Sequence, residues 1–250
     1  MKEISMEKTL SPLPILLYHD IYDNEIRTPH SIQYEKLSSQ FYHLRNNGYT
    51  AITAKDLLNF MNFGNPLPEK SVFITFDDGY KSISTHLYPL LQQFNLKATV
   101  FIIPSFIQEW DDSASQYLSL SEMRKMDGDY IEWGIHSYAH VDYKTLTAQE
   151  LAFDIHLCNN WFELYGIPFV EALAFPFGAY PKYNWLKRKR FFLALKLSGI
   201  KLFFRIGNRI NKLTGIDSFL MERIEIVGNE TIQIFDGYLK KGKRKPLRIW

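Results

Sequence analysis

A largely apolar stretch at residues 71–76 leads directly into Asp77, Asp78 and a glycine, and this feature constrains the fold more than any other in the chain. A short apolar stretch that ends at turn residues is typical of a strand buried on both faces. Two adjacent carboxylates repel each other, and burial makes the repulsion costlier unless a cation is present. An ordinary Asp-Gly turn would account for Asp78 but would leave Asp77 unexplained. The pair therefore predicts a cation site at the end of a buried strand.

The same arrangement recurs along the chain, because several predicted strands end at a polar residue or a turn. His19 follows one such strand, His136 follows another, and a turn centred on Phe177 follows a third. The ends of parallel barrel strands meet at one face, so these groups are expected to form one cluster in an α/β barrel. The predicted strands cover residues 14–19, 71–76, 98–103, 131–135 and 172–175, and the predicted helices cover residues 32–47, 53–63, 83–94, 121–126 and 147–165.

His136 and His140 are four residues apart, which on a helix or helical turn would direct both imidazoles to one side. Neutral imidazole suits zinc and other first-row transition metals. A hydrolytic metal site needs a third protein ligand and an open position, and either Asp77 or Asp78 could supply that ligand. A histidine pair with this spacing is also common on surface turns. The prediction of a metal site therefore depends on the pair and the aspartates together.

Length and composition favour one sizeable domain. The chain has 250 residues, of which 46% are hydrophobic, and its single cysteine cannot form an internal disulfide. Residues 1–11 mix acidic and basic side chains, so we expect no secretory signal, and no apolar stretch is long enough to span a membrane. We expect a cytoplasmic protein, in peripheral contact with the inner face of the membrane, that comprises an extension (residues 1–11), a barrel (12–238) and a basic tail (239–250).

Positive charge is concentrated in two segments. Residues 172–216 hold ten basic side chains and no acidic ones, and residues 240–250 hold six more without an acid. Such asymmetry predicts a basic surface that attracts an anionic membrane or a lipid-linked glycan, although a solvated surface without a partner would look the same. Nucleic acid is not expected as a partner, since no nucleic-acid-binding motif is present.

Three motifs resemble those of the polysaccharide deacetylases, also called the NodB-homology group or carbohydrate esterase family 4. They are TFDDGY at residues 75–80, HSYAH at residues 136–140 and FPFG at residues 175–178. The resemblance extends over residues 12–227 and implies a single-domain, distorted (β/α)7-type barrel. It is strongest to a subgroup typified by biofilm poly-N-acetylglucosamine deacetylases, in which the barrel is circularly permuted relative to the wider family.

The resemblance also implies roles for individual residues. Leu17-Tyr18-His19 fits the subgroup's N-terminal motif, which implies that His19 is the general acid, although a packed histidine at a strand end is the alternative. The arginine that orients the base in the wider family is replaced by Ala174, and Arg223 is the candidate substitute. Asp77 would be the general base. The metal, which would be zinc or else cobalt or nickel, would be bound by Asp78, His136 and His140. The oxyanion or the substrate would be contacted by Phe177, Tyr80 and Tyr18.

The implied function is a metal-dependent hydrolase that removes an acyl group, most simply N-acetyl, from an amino sugar in a glycan or glycan precursor. Two alternatives stay open. One is a deformylase or amidase that acts on a lipid-linked or nucleotide-linked sugar, or on another small amide. The other is a glycan-binding relative without turnover.

Overall fold

The computed structural model describes residues 12–24, 28–126, 128–213, 220–228 and 230–243. Within these residues the chain forms ten strands and seven α-helices. The strands are β1 (Ile15–Tyr18), β2 (Ile21–Tyr22), β3 (Ile32–Gln33), β4 (Thr50–Ile52), β5 (Ser71–Asp78), β6 (Ala98–Ile102), β7 (Ile131–Ile135), β8 (Ala172–Ala174), β9 (Leu202–Ile206) and β10 (Leu220–Glu225). The helices are α1 (Tyr34–Asn46), α2 (Ala54–Phe63), α3 (Tyr88–Phe94), α4 (Leu120–Lys125), α5 (Ala148–Tyr165), α6 (Trp185–Leu197) and α7 (Ile232–Lys241).

Seven parallel strands close into a barrel in the order β1-β10-β9-β8-β7-β6-β5, with β5 pairing back to β1. The short strand β4 pairs with the start of β5, while β6 pairs with its end. The predicted (β/α)7-type barrel is therefore confirmed. All seven strands run the same way, so their carboxyl ends lie at one face of the barrel.

Aromatic side chains fill the barrel interior below that face. Phe204 packs against Phe73 and Phe101 at ring-centroid distances of 5.4 and 5.2 Å. Gly134 leaves the space that Phe101 needs, because a Cβ at that glycine would lie 2.6 Å from the Phe101 ring. Side chains alternate between the two faces of a strand, so the positions two and four residues beyond Phe73, which are Thr75 and Asp77, also point inwards.

The helices pack around the barrel through apolar faces that the sequence indicates. In α1 the predicted stripe of Leu37, Phe41 and Leu44 is buried. Thr53 and Thr147 begin α2 and α5 with reciprocal capping boxes, each worth about 1 kcal/mol of helix stability. Within the described residues, no helix is both long and apolar enough to cross a bilayer.

One segment differs from the sequence-based prediction. Residues 83–94 are not one α-helix but a π-helical turn (Ile83–Leu87) followed by α3. Pro89 accounts for the break, because it has no N–H to donate to the preceding turn. The basic stretch at residues 182–212 contains α6 and β9, which are separated by Gly199 in a left-handed conformation at φ 86°.

Candidate active site

Arg223 and Asp77 form a buried ion pair in the barrel interior. The guanidinium Nη1 and Nη2 atoms donate to the two carboxylate oxygens of Asp77 over 2.6 and 2.7 Å, and Nη1 also lies 3.3 Å from the Thr75 hydroxyl. Both charged side chains are at most 3% exposed. Burial alone would raise the pKa of Asp77, but Arg223 and His136 outweigh it and hold the pKa at about 2. Asp77 is therefore an oriented, ionised carboxylate.

Arg223 lies within strand β10. Its guanidinium reaches across the barrel and also lies over the Phe101 ring, 5.6 Å from the centroid. β10 joins β1 in the closed barrel, and β1 is followed by His19. The closure thus brings residues from the two ends of the chain to the same interior.

Asp78, His136 and His140 converge on one point. The Oδ1 atom of Asp78 lies 3.4 Å from Nε2 of His136 and 3.7 Å from Nε2 of His140, and one ligand atom from each residue falls within 4.8 Å of the others. Asp78 Oδ1 is buried and has no hydrogen-bond partner. Burial and the neighbouring Asp77 raise the pKa of Asp78 to about 7. A metal ion would supply the missing partner and offset the repulsion, so the three residues fit a divalent cation.

The imidazole of His136 is oriented for metal binding by the backbone. Its Nδ1 lies 2.9 Å from the carbonyl oxygen of Ala174, which can only accept a hydrogen bond, so Nδ1 carries the proton and Nε2 presents its lone pair. Burial lowers the pKa of His136 to about 4, and burial lowers that of His140 as well. Both rings are consequently neutral at neutral pH, the form that binds metals.

The segment that carries the two histidines is an irregular loop, so the expectation of a helical turn was wrong. Ser137 and His140 adopt left-handed conformations at φ 66° and 56°, which are strained for residues with a side chain. Asp154 of α5 holds the loop. Its Oδ1 accepts from the Ser137 hydroxyl (3.0 Å) and the Tyr138 N–H (3.1 Å), and its Oδ2 accepts from the Tyr143 hydroxyl (2.6 Å).

Asp154 is a site residue that the sequence interpretation missed. It is buried on the same face of α5 as Leu151, Ile155 and Cys158. A carboxylate among apolar positions at helical spacing needs partners, and that position was the available signal.

Phe177 sits at the rim of the cluster. Its ring is 64% exposed and contacts the His140 ring edge-on at 4.5 Å. The N–H groups of Gly178 and Ala179 donate within the turn to Phe175 and Pro176. Among the described residues no protein acceptor takes the N–H of Phe177, whose backbone is left-handed at φ 58°. This N–H is therefore available to a ligand.

His19 follows β1 beside the same cluster. Its Nδ1 is buried without a hydrogen-bond partner, although the residue as a whole is only partly buried. The His30 ring lies 5.1 Å away, and His30 Nδ1 is 3.0 Å from Glu225. Burial lowers the pKa of His19 to about 3 despite the opposing charge of Asp77. The ring is thus neutral at neutral pH and must gain a proton before it can donate one.

The two tyrosines predicted to contact substrate differ in position. Tyr80 is half-buried, and its ring stacks on Tyr117 at 5.2 Å. A hydrogen bond from Tyr80 partly offsets the rise in the pKa of Asp78. Tyr18 is not brought into the cluster. It is fully buried, stacks on Phe76 and donates to Gln40 of α1 over 2.8 Å, because alternation along β1 turns it outwards to the helices.

Sequence comparison gives consistent matches. A family model described as polysaccharide deacetylase matches residues 64–192. A putative polysaccharide deacetylase, YxkH of Bacillus subtilis, is 31% identical over 180 residues, which cover 69% of this chain and 60% of that protein. A poly-beta-1,6-N-acetyl-D-glucosamine N-deacetylase of Escherichia coli is 39% identical over 77 residues, which cover 31% of this chain and 12% of that protein. The matched regions thus cover less than two thirds of either relative.

Two solved structures share the architecture over nearly their full length. A deacetylase of Streptococcus pyogenes, PplD in complex with acetate, superimposes with a TM-score of 0.77 at 18% identity, covering 92% of this chain and 99% of that one. IcaB from Ammonifex degensii superimposes with a TM-score of 0.75 at 18% identity, covering 92% and 97%. At such identities the likeness concerns the fold.

Proposed function

Because this chain belongs to the polysaccharide deacetylase family, we propose that it is a metal-dependent hydrolase of carbon–nitrogen bonds that removes the N-acetyl group from an amino sugar in a glycan or glycan precursor. One observation carries the proposal. The buried, unpartnered Asp78 Oδ1 lies within 3.7 Å of both histidine Nε2 atoms, directly beside the carboxylate of Asp77 that Arg223 orients. If the Asp77–Arg223 ion pair had a structural role alone, the buried and unpartnered Oδ1 of Asp78 beside it would have no explanation.

Asp78, His136 and His140 would hold the metal, and two imidazoles with one carboxylate suit zinc, with cobalt or nickel as alternatives. The bound metal would supply Lewis acidity, which polarises the acyl carbonyl and favours the ionised form of water. Three protein ligands leave a position for substrate or water, as a hydrolytic site requires.

Asp77 is the proposed general base. It accepts a proton from the water whose oxygen forms the new bond to the acyl carbon. Arg223 keeps both carboxylate oxygens oriented and keeps the group ionised across the physiological range. The pair therefore works as a fixed proton acceptor, with Arg223 as its positioning residue.

His19 is the proposed proton donor and Phe177 the proposed oxyanion contact. The carbon–nitrogen bond breaks as His19 gives a proton to the leaving amine, and the products are acetate and the free amino sugar. The N–H of Phe177 donates to the carbonyl oxygen as negative charge builds there. Since His19 is neutral at rest, it has to take up its proton from solvent before it can give one to the leaving amine.

The proposed substrate is a glycan that contains N-acetylglucosamine. A curated relative in Escherichia coli is named for poly-beta-1,6-N-acetyl-D-glucosamine. The exposed Phe177 ring beside His140 offers an apolar wall on which a sugar face can pack, and Tyr80 offers a hydroxyl close to Asp78.

We also propose peripheral contact with an anionic membrane through α6. Its exposed apolar residues Trp185, Leu186 and Leu193 lie among basic ones, and Lys189 lies 5.7 Å from the Trp185 ring centroid. The basic side chains would bind anionic lipid headgroups, and the exposed apolar side chains would contact the acyl boundary beside them. The predicted cytoplasmic location at the inner face of the membrane stays a prediction, which cell fractionation would test.

Acetate release tests the enzymatic proposal. The purified protein, loaded with zinc, cobalt or nickel, is incubated with N-acetylglucosamine oligomers, and Asp78→Asn serves as the matched inactive variant. Release by the wild type alone is the expected result. Metal binding without acetate release would favour the deformylase or amidase alternative, which formylated and lipid-linked sugars would then test. Failure to bind any of the three metals would favour a glycan-binding relative without turnover.

A further inference from the structure

A pocket of about 370 Å³ opens on the outer side of the barrel between β9, β10 and the start of α6. Arg205 and Glu222 form its floor, since they are register partners on β9 and β10. Both side chains point away from the interior, because each residue is next to an inward-facing one on its strand. Arg205 is next to Phe204, and Glu222 is next to Arg223. The remaining lining residues are Tyr180, Lys182, Arg188, Ile206, Gly207, Asn208 and Arg209.

The charge of this pocket is strongly unbalanced. Among the described residues, four basic side chains, Lys182, Arg188, Arg205 and Arg209, line the pocket together with one carboxylate, that of Glu222, a formal excess of three positive charges within this set. Glu222 pairs with Arg205 and lies 3.8 Å from Nε of Arg209. Like charges that converge on one volume repel each other, and an anion entering the pocket would relieve that repulsion.

Packing contacts hold part of this pocket in place, so it is more than a group of flexible surface side chains. Gly207 allows Glu222 to lie against the backbone, since a Cβ at that glycine would be 2.3 Å from the Glu222 carboxylate oxygen. The Tyr180 ring forms one wall, with Lys182 5.6 Å and Arg205 6.0 Å from its centroid. These contacts hold the floor and one wall in place, while Arg188 and Arg209 at the mouth are more exposed.

Two short connections link the pocket to the metal cluster, one along the chain and one between paired strands. Tyr180 lies three residues after Phe177, so their Cα atoms are at most about 11 Å apart. Ile206 is the register partner of Arg223, whose guanidinium binds Asp77. The pocket therefore lies near the metal cluster in the fold, at a separation that a sugar unit next to the deacetylated one would have to span.

We propose that this pocket binds a phosphate group carried by the glycan substrate, so that the preferred substrate is a phosphorylated amino-sugar glycan. This inference rests on the deacetylase function proposed above. Arginine forks bind phosphate and carboxylate oxygens alike. Three excess positive charges favour a phosphate monoester, which carries a charge of about −2, over a carboxylate with a single charge.

A larger groove, of about 750 Å³, lies between α1 and α7 and does not carry this inference. It includes Lys36, His43 and Glu230, so its charges are closer to balance.

The test compares two N-acetylglucosamine oligomers of equal length, one of them with a 6-phosphate, as substrates of the metal-loaded full chain. Arg188→Gln and Arg209→Gln each remove one cation from the mouth of the pocket, and Arg190→Gln removes an exposed cation of α6 that does not line it. We expect the two pocket variants to raise KM for the phosphorylated oligomer roughly tenfold, the usual scale for one charge-assisted contact, and to leave KM for the neutral oligomer unchanged. Arg190→Gln should change neither value.

Equal KM values of the wild type for the two oligomers, or pocket variants without effect, would overturn the inference. If the wild type releases acetate from neither oligomer, the deacetylase proposal fails. The pocket is then judged by calorimetric titration with N-acetylglucosamine 6-phosphate, whose binding the pocket variants should weaken and Arg190→Gln should not.

Vesicles with and without phosphatidylglycerol distinguish a glycan phosphate from a lipid headgroup. If all three variants weaken vesicle binding equally while the phosphorylated sugar does not bind, the charge serves the membrane and the glycan phosphate is excluded.

Discussion

Arg223 and Asp77 are 146 residues apart in sequence, yet the two nitrogens at the end of the arginine side chain meet both oxygens of the aspartate at 2.6 and 2.7 Å. The pair lies inside a barrel, where either charge alone would be costly. The contribution of the pair to the stability of the fold can be measured separately from its contribution to catalysis. Replacing both residues with apolar ones removes both charges together.

Arg223→Met should destabilise the fold by about 3–5 kcal/mol, because it leaves Asp77 charged and unpaired in the interior. Arg223→Met combined with Asp77→Leu should recover most of that stability without recovering acetate release. Urea unfolding and an acetate assay measure the two effects, and Arg124→Met, which removes an exposed arginine, is the control. Equal stability of the single and double variants would show that the buried charge is not the cause.

Asp78→Asn and His136→Gln should each abolish metal binding, since each removes one of the three ligands that the described part of the chain offers. Mass spectrometry of the reconstituted protein should find about one metal per chain in the wild type and in His156→Gln, a control on the exposed side of α5. A chelator should lower Tm of the loaded wild type but not of Asp78→Asn, because only bound metal stabilises the folded state. Retained metal in both ligand variants would contradict the proposed ligand set.

Asp154→Asn should lower metal affinity roughly 10- to 100-fold although Asp154 is not a ligand. An asparagine has one acceptor oxygen, whereas Asp154 accepts from Ser137, Tyr138 and Tyr143. The left-handed conformations in the ligand loop would then lose their support. Zinc titration measures the change. The control is Asp142→Asn, since Asp142 is a partly exposed aspartate of the same segment that accepts a hydrogen bond from the Lys144 N–H. Lost stability with unchanged zinc affinity would restrict Asp154 to a structural role.

His19 should make the metal-free protein less stable as pH falls. Its pKa is about 3 in the folded chain and returns to 6.5 on unfolding, so between these values only the unfolded state binds the proton. Stability therefore falls as pH is lowered through 6.5. Between pH 7 and pH 5 the wild type should lose roughly 1–2 kcal/mol more than His19→Gln. Urea unfolding at both pH values measures this, with His156→Gln as the exposed control, and equal losses in wild type and His19→Gln would show that His19 is not buried in its neutral form.

Most of the fold could be predicted because its signals are local. The strand that ends at Asp77-Asp78 and the helices capped by Thr53 and Thr147 depend on apolar spacing and turn residues close in sequence. Strands β2, β3, β4, β9 and β10 and helices α6 and α7 were not predicted individually. In β10 the inward-facing Arg223 interrupts the apolar pattern, and only its distant partner explains why a charge is buried there.

The amino-acid sequence alone was sufficient for the α/β barrel class and for the convergence of an aspartate with His136 and His140, because strand ends that carry polar residues must meet at one face of a parallel barrel. The family, and the choice of Asp78 over Asp77 as the candidate ligand, came from the resemblance of three sequence motifs. Tertiary structure decided what depends on contacts between distant segments. Closure of β1 against β5 and β10 brings His19 and Arg223 beside Asp77, α5 supplies Asp154 beneath the ligand loop, and side-chain alternation turns Tyr18 away from the site. Electrostatic and hydrogen-bonding energies depend on distances in space, and local sequence patterns do not report those distances.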